Sequence, residues 1–251
     1  MHVSWEYPVL SGAGLLAGFV DSIAGGGGLI TLPALLWAGL PPQLALGTNK
    51  LQSSCGTALA TWRYAQAGLM RVKGIGFGVV IAFLASWVGS AAAAHAPADL
   101  LRRLIPFLLL AIALYVGLKP DLGVAGRPPR MAGALFAWVF GTLLGFYDGF
   151  FGPGTGSFWM TACVLLLGLD FRGATGYTKA MNLASNLASL LFFASQGQVH
   201  YGYAGAMAVG QLVGAQMGSR MVIHRGARLV RPMLLAVVFV MASKLIWDAY
   251  R

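Results

Sequence analysis

Acidic residues are scarce in this sequence. The 251-residue chain carries 7 Asp and Glu against 17 Lys and Arg, and charged residues of both signs make up only 10%. An ordinary soluble domain has about 25%, so this deficit excludes a soluble globular enzyme and a disordered chain. Cysteine is also scarce. Cys55 and Cys163 both sit inside apolar segments, which excludes a secreted disulfide scaffold and reads as two small packing residues rather than a disulfide or a metal site. No polar stretch is long enough for a soluble domain. Residues 1–8 hold neither a basic cluster nor a cleavage site, so signal-peptide processing is not expected.

What the chain has in quantity is apolar material, 58%, and 35 glycines. A membrane-spanning helix uses about 20 mostly apolar residues, so about six to nine crossings are available. Glycine at this level weakens soluble helices and is common in membrane helices. The chain reads as an all-α polytopic membrane protein whose first partner is the lipid bilayer. The formal charge of +10 could suggest nucleic acid. However, Lys and Arg lie mainly in short connections, with no basic face interleaved with aromatics, so no nucleic-acid partner is expected. His2, His95, His200 and His224 stand at segment ends and form no buried metal set. No phosphate loop and no nucleophile–base arrangement is present, so neither an enzyme nor a resident cofactor is expected.

Apolar runs cover 9–24, 29–40, 44–65, 74–94, 101–118, 131–151, 157–169, 173–195, 202–223 and 230–247. Glycine breaks at 25–28 and 152–156 interrupt the first and sixth. A Pro-bearing connector at 119–130 separates the halves. The halves match: residues 16–21 (LAGFV-Asp21) align with 143–148, and the breaks follow at Gly25 and Gly152. After a two-residue insertion, Gly39 aligns with Gly168, Lys50 with Lys179, Gly68 with Gly197 and Arg102 with Arg231. Glycine matches arise by chance at this composition, but Asp21/Asp148 and Lys50/Lys179 in one frame do not. A single transporter domain is expected, with repeat one at about 9–118 and repeat two at about 131–249.

Charge orients the repeats. Eight simple crossings would split the connecting Lys and Arg evenly, against the usual inside excess. If 9–40 and 131–169 instead enter, break and return, each repeat has three true crossings and the second repeat is inverted. Arg63, Arg71, Lys73, Lys119, Arg127, Arg130, Arg172, Arg220, Arg225, Arg228 and Arg231 then fall inside. Arg102, Arg103, Lys244 and Arg251 fall outside, with both termini. The expected architecture is two inverted repeats, each a re-entrant hairpin plus three transmembrane helices, eight hydrophobic segments in all.

Irregular backbone at membrane depth is tolerated only where protein or a wet cavity satisfies it. Paired breaks in an inverted repeat therefore point to a transporter's central site, here Gly25, Gly26, Gly27, Gly28, Gly152, Gly154 and Thr155. Half-helices returning from near Leu29 and Ser157 would aim amides and positive dipole ends at that site, favouring an anion. Tight helix packing by the glycines is the structural alternative. Asp21 and Asp148, just before the breaks, are candidates to carry a proton, pair with a lysine or coordinate a cation, with a cap that holds the break together as the structural alternative. Lys50, Ser53, Ser54 and Thr57 share one helical face, as do Lys179, Asn182 and Asn186 beside Thr178. Turned inward, these stripes line a hydrophilic, locally positive cavity. Snorkelling to headgroups is the other reading of the lysines. Gly210, Gly214 and Gly218 read as a packing seam, and Trp5, Trp37, Trp62, Trp138 and Trp247 as interface anchors.

The segments Gly18-Phe-Val-Asp21-Ser-Ile-Ala-Gly-Gly-Gly-Gly28 and Ala45-Leu-Gly-Thr-Asn-Lys50 resemble the sulfite exporter TauE/SafE family, also called the toluene sulfonate uptake permease family. Residues 145–156 and 176–182 echo them, with Pro153 replacing a glycine. The resemblance covers nearly the whole chain. It implies a bacterial inner-membrane permease, generally a secondary transporter, for sulfite, sulfonates or other small organic anions. Substrate and direction vary among members. The leading expectation is thus a carrier in which Lys50 and Lys179 supply positive potential. Thr48, Asn49, Ser53, Thr57, Thr178, Asn182 and Asn186 would then hydrogen-bond the anion, and Asp21 or Asp148 would couple it to a proton co-substrate. A passive anion channel and an intramembrane enzyme are the alternatives, and a homo-oligomer is left open.

Overall fold

Proline and glycine set most of the helix boundaries. A computed structural model describes residues 5–70, 75–118 and 128–225. Among these residues it holds nine α-helices and no strand. They are α1 (Glu6–Ala24), α2 (Gly28–Trp37), α3 (Pro42–Gln66), α4 (Ile75–His95), α5 (Ala98–Leu118), α6 (Gly133–Phe150), α7 (Thr155–Leu166), α8 (Phe171–Ser195) and α9 (Tyr201–Arg225). Pro42 opens α3 at a position where the missing N–H is no loss. Asp170 opens α8 by accepting a hydrogen bond from the Gly173 amide at 2.9 Å. The run at 230–247, most of the connector, Arg71, Lys73, Arg228, Arg231, Lys244, Arg251, His2 and Trp247 lie outside the described residues. The expected division of charge between the two sides falls largely on them.

Both breaks are hairpins, but their arms are unequal. The entering helices α1 and α6 have 19 and 18 residues, whereas the returning α2 and α7 have 10 and 12. The entering arms are thus the longer ones, and α6 is long and apolar enough by composition to cross a membrane. Nothing inside them interrupts the helix before the glycines, while α2 stops early at Gly39 and α7 at Gly168, both left-handed. The short helices are sheathed. Leu29 to Leu35 of α2 are buried without exception, and α7 packs Trp159, Met160 and Cys163 against Phe136, Tyr177 and Met181.

The bundle reverses the soluble pattern. Lys50, Lys179 and Asp148 are buried, while Leu84, Val88, Leu143, Leu191 and Val209 are more than half exposed. Large apolar side chains facing outward around a polar interior suit a protein whose solvent is lipid. Trp5, Trp62 and Trp138 are also exposed. Two of the described helices, α4 and α6, are long and apolar enough to cross a membrane by length and composition.

Helix contacts exchange between the halves. α1 packs most extensively on α9, and α6 on α4, with α3 and α8 against each other between these pairs. Glycine makes the α1–α9 approach possible. A Cβ at Gly210, Gly214 or Gly218 would overlap Ser11, Leu15 or Ser22 and Phe19 of α1, and one at Gly14 or Gly18 would overlap the α9 backbone. The expected seam is thus a contact within this chain. Gly214→Leu is expected to pry α1 from α9 and lower the melting temperature in detergent by several degrees. An unchanged melting curve would show that the helices do not meet there.

Candidate functional site

The site begins where the two hairpin tips touch. Gly25 closes α1 in the left-handed region, φ 69°, and donates its amide to Asp21 O at 2.9 Å. Its own carbonyl accepts from the amide and hydroxyl of Ser157 at 3.0 and 3.1 Å. A Cβ on Gly25 would collide with Gly156 Cα, and one on Gly28 would stand 3.0 Å from Pro153 Cα. Backbone therefore rests on backbone, which only glycine permits.

Beside each tip a lysine grips the opposite half. Lys50 of α3 donates to Asp148 Oδ1 at 2.8 Å, to the Asp148 carbonyl and to Asn186 Oδ1 at 3.3 Å. Lys179 of α8 donates to Asp21 Oδ2 at 2.9 Å and to the Asp21 carbonyl. Both ammonium groups thus sit at helix C-terminal ends, where the dipole is negative, and each also neutralises a carboxylate. The lysines do not snorkel: each side chain is 1% exposed. Nor do they give the cavity a net positive charge, because two lysines face two aspartates.

The cavity between the tips encloses about 340 Å³ when the open solvent at its mouth is counted, and its enclosed part is narrow. Asp21, Gly25, Gly26, Gly27, Gly28, Asn49, Lys50, Ser53, Asp148, Gly152, Gly154, Thr155, Asn182 and Asn186 line it, together with Gly156. Fourteen of the residues singled out by sequence are therefore brought together. Lys179 stands behind Asp21. Thr48 turns away, donating to Leu44 O and accepting the His200 amide at 2.9 Å, so it ties α3 to the turn before α9. Thr57 and Thr178 are buried outside the lining, and Thr178 Oγ1 has no hydrogen-bond partner among the described residues.

The uncommitted hydrogen-bonding capacity of the lining is mainly amide N–H. Asn49, Asn182 and Asn186 are 3%, 5% and 7% exposed. Asn49 Oδ1 accepts from Thr31 and from Gln52 at 2.8 Å, and Asn186 Oδ1 accepts from Lys50. Those partners orient each amide so that its NH₂ faces away from them. Asn182 makes no side-chain hydrogen bond among the described residues, and its Oδ1 is buried. The amides of Gly28 and Gly156, in the first turns of α2 and α7, are likewise without partners. Lys50, by contrast, already has three acceptors for its three protons.

Sequence reasoning missed Thr31, Gln52, Ser157 and Ser185. Ser185 donates to Asp148 Oδ2. The signal for it was available, since Ser185 lies three residues after Asn182 on the same helical face.

Residues 10–245 match the model of the family described as sulfite exporter TauE/SafE. The chain belongs to this family. The "Probable membrane transporter protein YfcA" of Escherichia coli (strain K12) is 43% identical over 242 residues, covering 96% of this chain and 90% of the relative. The "Probable membrane transporter protein" of Haemophilus influenzae is 42% identical over 240 residues, 96% and 94% of the two chains. "Probable membrane transporter protein ORF9" of Sinorhizobium sp is 43% identical over 236 residues, 94% and 90%. Membership of the TauE/SafE family makes the chain a membrane transporter, not an enzyme. The TauE/SafE match runs through both hairpins, so the paired lysines and aspartates lie inside the segment that defines membership.

Proposed function

We propose that this protein is a proton-coupled secondary transporter for a small anion, such as sulfite, a sulfonate or another organic anion, in a bacterial inner membrane. The observation that carries this reading is the cavity between the hairpin tips, where charge is balanced and the open hydrogen-bond positions are mostly donors. An anion seated there would meet the NH₂ groups of Asn49, Asn182 and Asn186 and the amides of Gly28 and Gly156, with the hydroxyls of Ser53 and Thr155 nearby. Lys50, in the lining but already fully hydrogen-bonded, and Lys179, one layer behind, would act through their field. A proton on an aspartate would unbalance a pair in favour of the anion.

The halves are read as inverted repeats that rock about this site. Three features support that reading. Asp21, Lys50 and their counterparts match in sequence. Each lysine bonds the aspartate of the other half. The packing of α1 on α9 is echoed by that of α6 on α4. Both termini are assigned to the outside, and a reporter fused at Arg251 that reports from the cytoplasm would reverse that assignment.

The reading is tested by flux in proteoliposomes. With sulfite, toluene sulfonate and acetate offered in turn, at least one anion is expected to accumulate against its gradient when a pH gradient is imposed, with saturable kinetics. Non-saturable flux indifferent to the pH gradient would indicate a channel. A chemically altered product would indicate an enzyme.

A further inference from the structure

The two lysine–aspartate pairs occupy matched places in the duplicated sequence, yet they are built differently. Asp148 is enclosed. Lys50 and Thr155 Oγ1 donate to its Oδ1 at 2.8 and 3.3 Å, Ser185 Oγ donates to its Oδ2, and its side chain is 5% exposed. Asp21 is open. Its side chain is 16% exposed, Lys179 donates to Oδ2, and the other donor is the Gly27 amide, 3.4 Å from Oδ1. The difference is written in the sequence. The position matching Ser185 in the first half is Gly56, and the positions matching Thr155 are glycines in either frame, Gly26 and Gly28. Neither can donate a hydroxyl. The room beside Gly56 is filled by Gln211, whose Nε2 would be 2.8 Å from a Cβ there.

From this asymmetry we infer that the two pairs have separate duties. Asp21 takes up and releases the transported proton, while Lys50–Asp148 is a permanent pin between α3 and the end of α6. The inference rests on the proton-coupled reading and assigns its proton to one residue. A proton arriving through the cavity mouth adds to Asp21 Oδ1, the oxygen with the weaker partner, and gives a neutral carboxylic acid. No other bond is made or broken except the ion pair, and Lys179 keeps its charge and its bond to the Asp21 carbonyl. The two lysines and two aspartates then sum to one positive charge in place of zero. A monovalent anion in the cavity restores neutrality, so one proton accompanies one such anion. Loss of the ion pair leaves the first hairpin tip tied to α8 through the Lys179–Asp21 carbonyl bond alone, while the second stays fixed to α3 through both of its Lys50 bonds. The other charged or titratable groups around Asp21 are Lys50 and Tyr64 of α3, the latter donating to Ser22 O at 2.7 Å, and Asp148 across the cavity. α2, α7 and α9 bring Gly27, Gly156 and Gly218 to this region.

The test is acid-induced infrared difference spectroscopy of the full chain in liposomes, with protons as the only added ligand. The chain has 7 carboxylate side chains, so assignment comes from variants. The buried carboxylic C=O band formed on acidification is expected in the wild type, absent in Asp21→Asn and retained in Asp148→Asn. Should Asp148→Asn fail to fold, Ser185→Ala takes its place, and the band is expected at an unchanged frequency and titration midpoint. A band that survives Asp21→Asn, or that moves in Ser185→Ala, overturns the assignment. Because this readout needs no substrate flux, it can fail or hold independently of the transport assay.

Discussion

Lys50→Ala is expected to remove most of the folded protein from the membrane. The substitution leaves the Asp148 carboxylate, 5% exposed, facing the negative end of α6 with two hydroxyls and no cation. It also strips a donor from the Asp148 carbonyl and from Asn186. Removing one partner of a buried ion pair costs about 3–5 kcal/mol, because the remaining charge stays desolvated. Every 1.4 kcal/mol is about tenfold in an equilibrium, so this is about a hundredfold to several thousandfold loss in the folded ratio. Thermal unfolding of the detergent-solubilised protein, followed by size-exclusion fluorescence, measures it. The double variant Lys50→Met with Asp148→Asn is expected to regain much of the stability, since neither charge is then buried alone. Lys179→Ala is expected to cost less, because Asp21 reaches the cavity mouth and can be hydrated. Equal melting temperatures for the wild type and Lys50→Ala would refute the pin.

Gly25→Ala is expected to abolish transport, with a loss of at least about tenfold at matched protein levels. Two effects add. An L residue in the left-handed region costs roughly 1–2 kcal/mol. The new methyl would also have to occupy the space of the Gly156 backbone, with Ser157 N only 3.1 Å from it. That backbone cannot retreat without giving up the bonds from Ser157 to the Gly25 carbonyl, at 3.0 and 3.1 Å. The tips must part, and the cavity between them loses its shape. Gly12→Ala in the same helix is the control. A Cβ there meets nothing within 4 Å, so the change is expected to be neutral or stabilising by about 0.5–1 kcal/mol. Normal sulfite or sulfonate flux in Gly25→Ala, by an anion that the wild type carries, would show that the tips need not touch.

Much of the site was legible because it depends on short-range pattern. The Gly25–Gly28 and 152–156 breaks lie between apolar runs, and a hairpin is the way to turn such a chain without exposing its backbone to lipid. Lys50 and Ser53, and likewise Lys179, Asn182 and Asn186, share their faces through helical spacing alone. Thr48 shows the limit of this reasoning. It neighbours Asn49 and Lys50, yet its hydroxyl faces the turn at His200, a segment that sequence spacing cannot bring near. The positive cavity expected from two inward lysines also changed character, because the aspartates of the opposite halves cancel them.

Sequence alone pointed to a helical membrane chain with matching halves, the places where its helices break, the two aspartates just before those breaks and the two lysines inside later apolar runs. These follow from composition and from periodicities of a few residues, which the backbone reads locally. Tertiary structure decided which lysine meets which aspartate, that the tips touch through Gly25 and Gly156, and that Asp148 is enclosed while Asp21 is open. Matched residues are chemically identical in the sequence. Their surroundings differ because folding brings each aspartate to a lysine 98 or 158 residues away and sets Ser185, 37 residues from Asp148, against it, where the matched position beside Asp21 is Gly56.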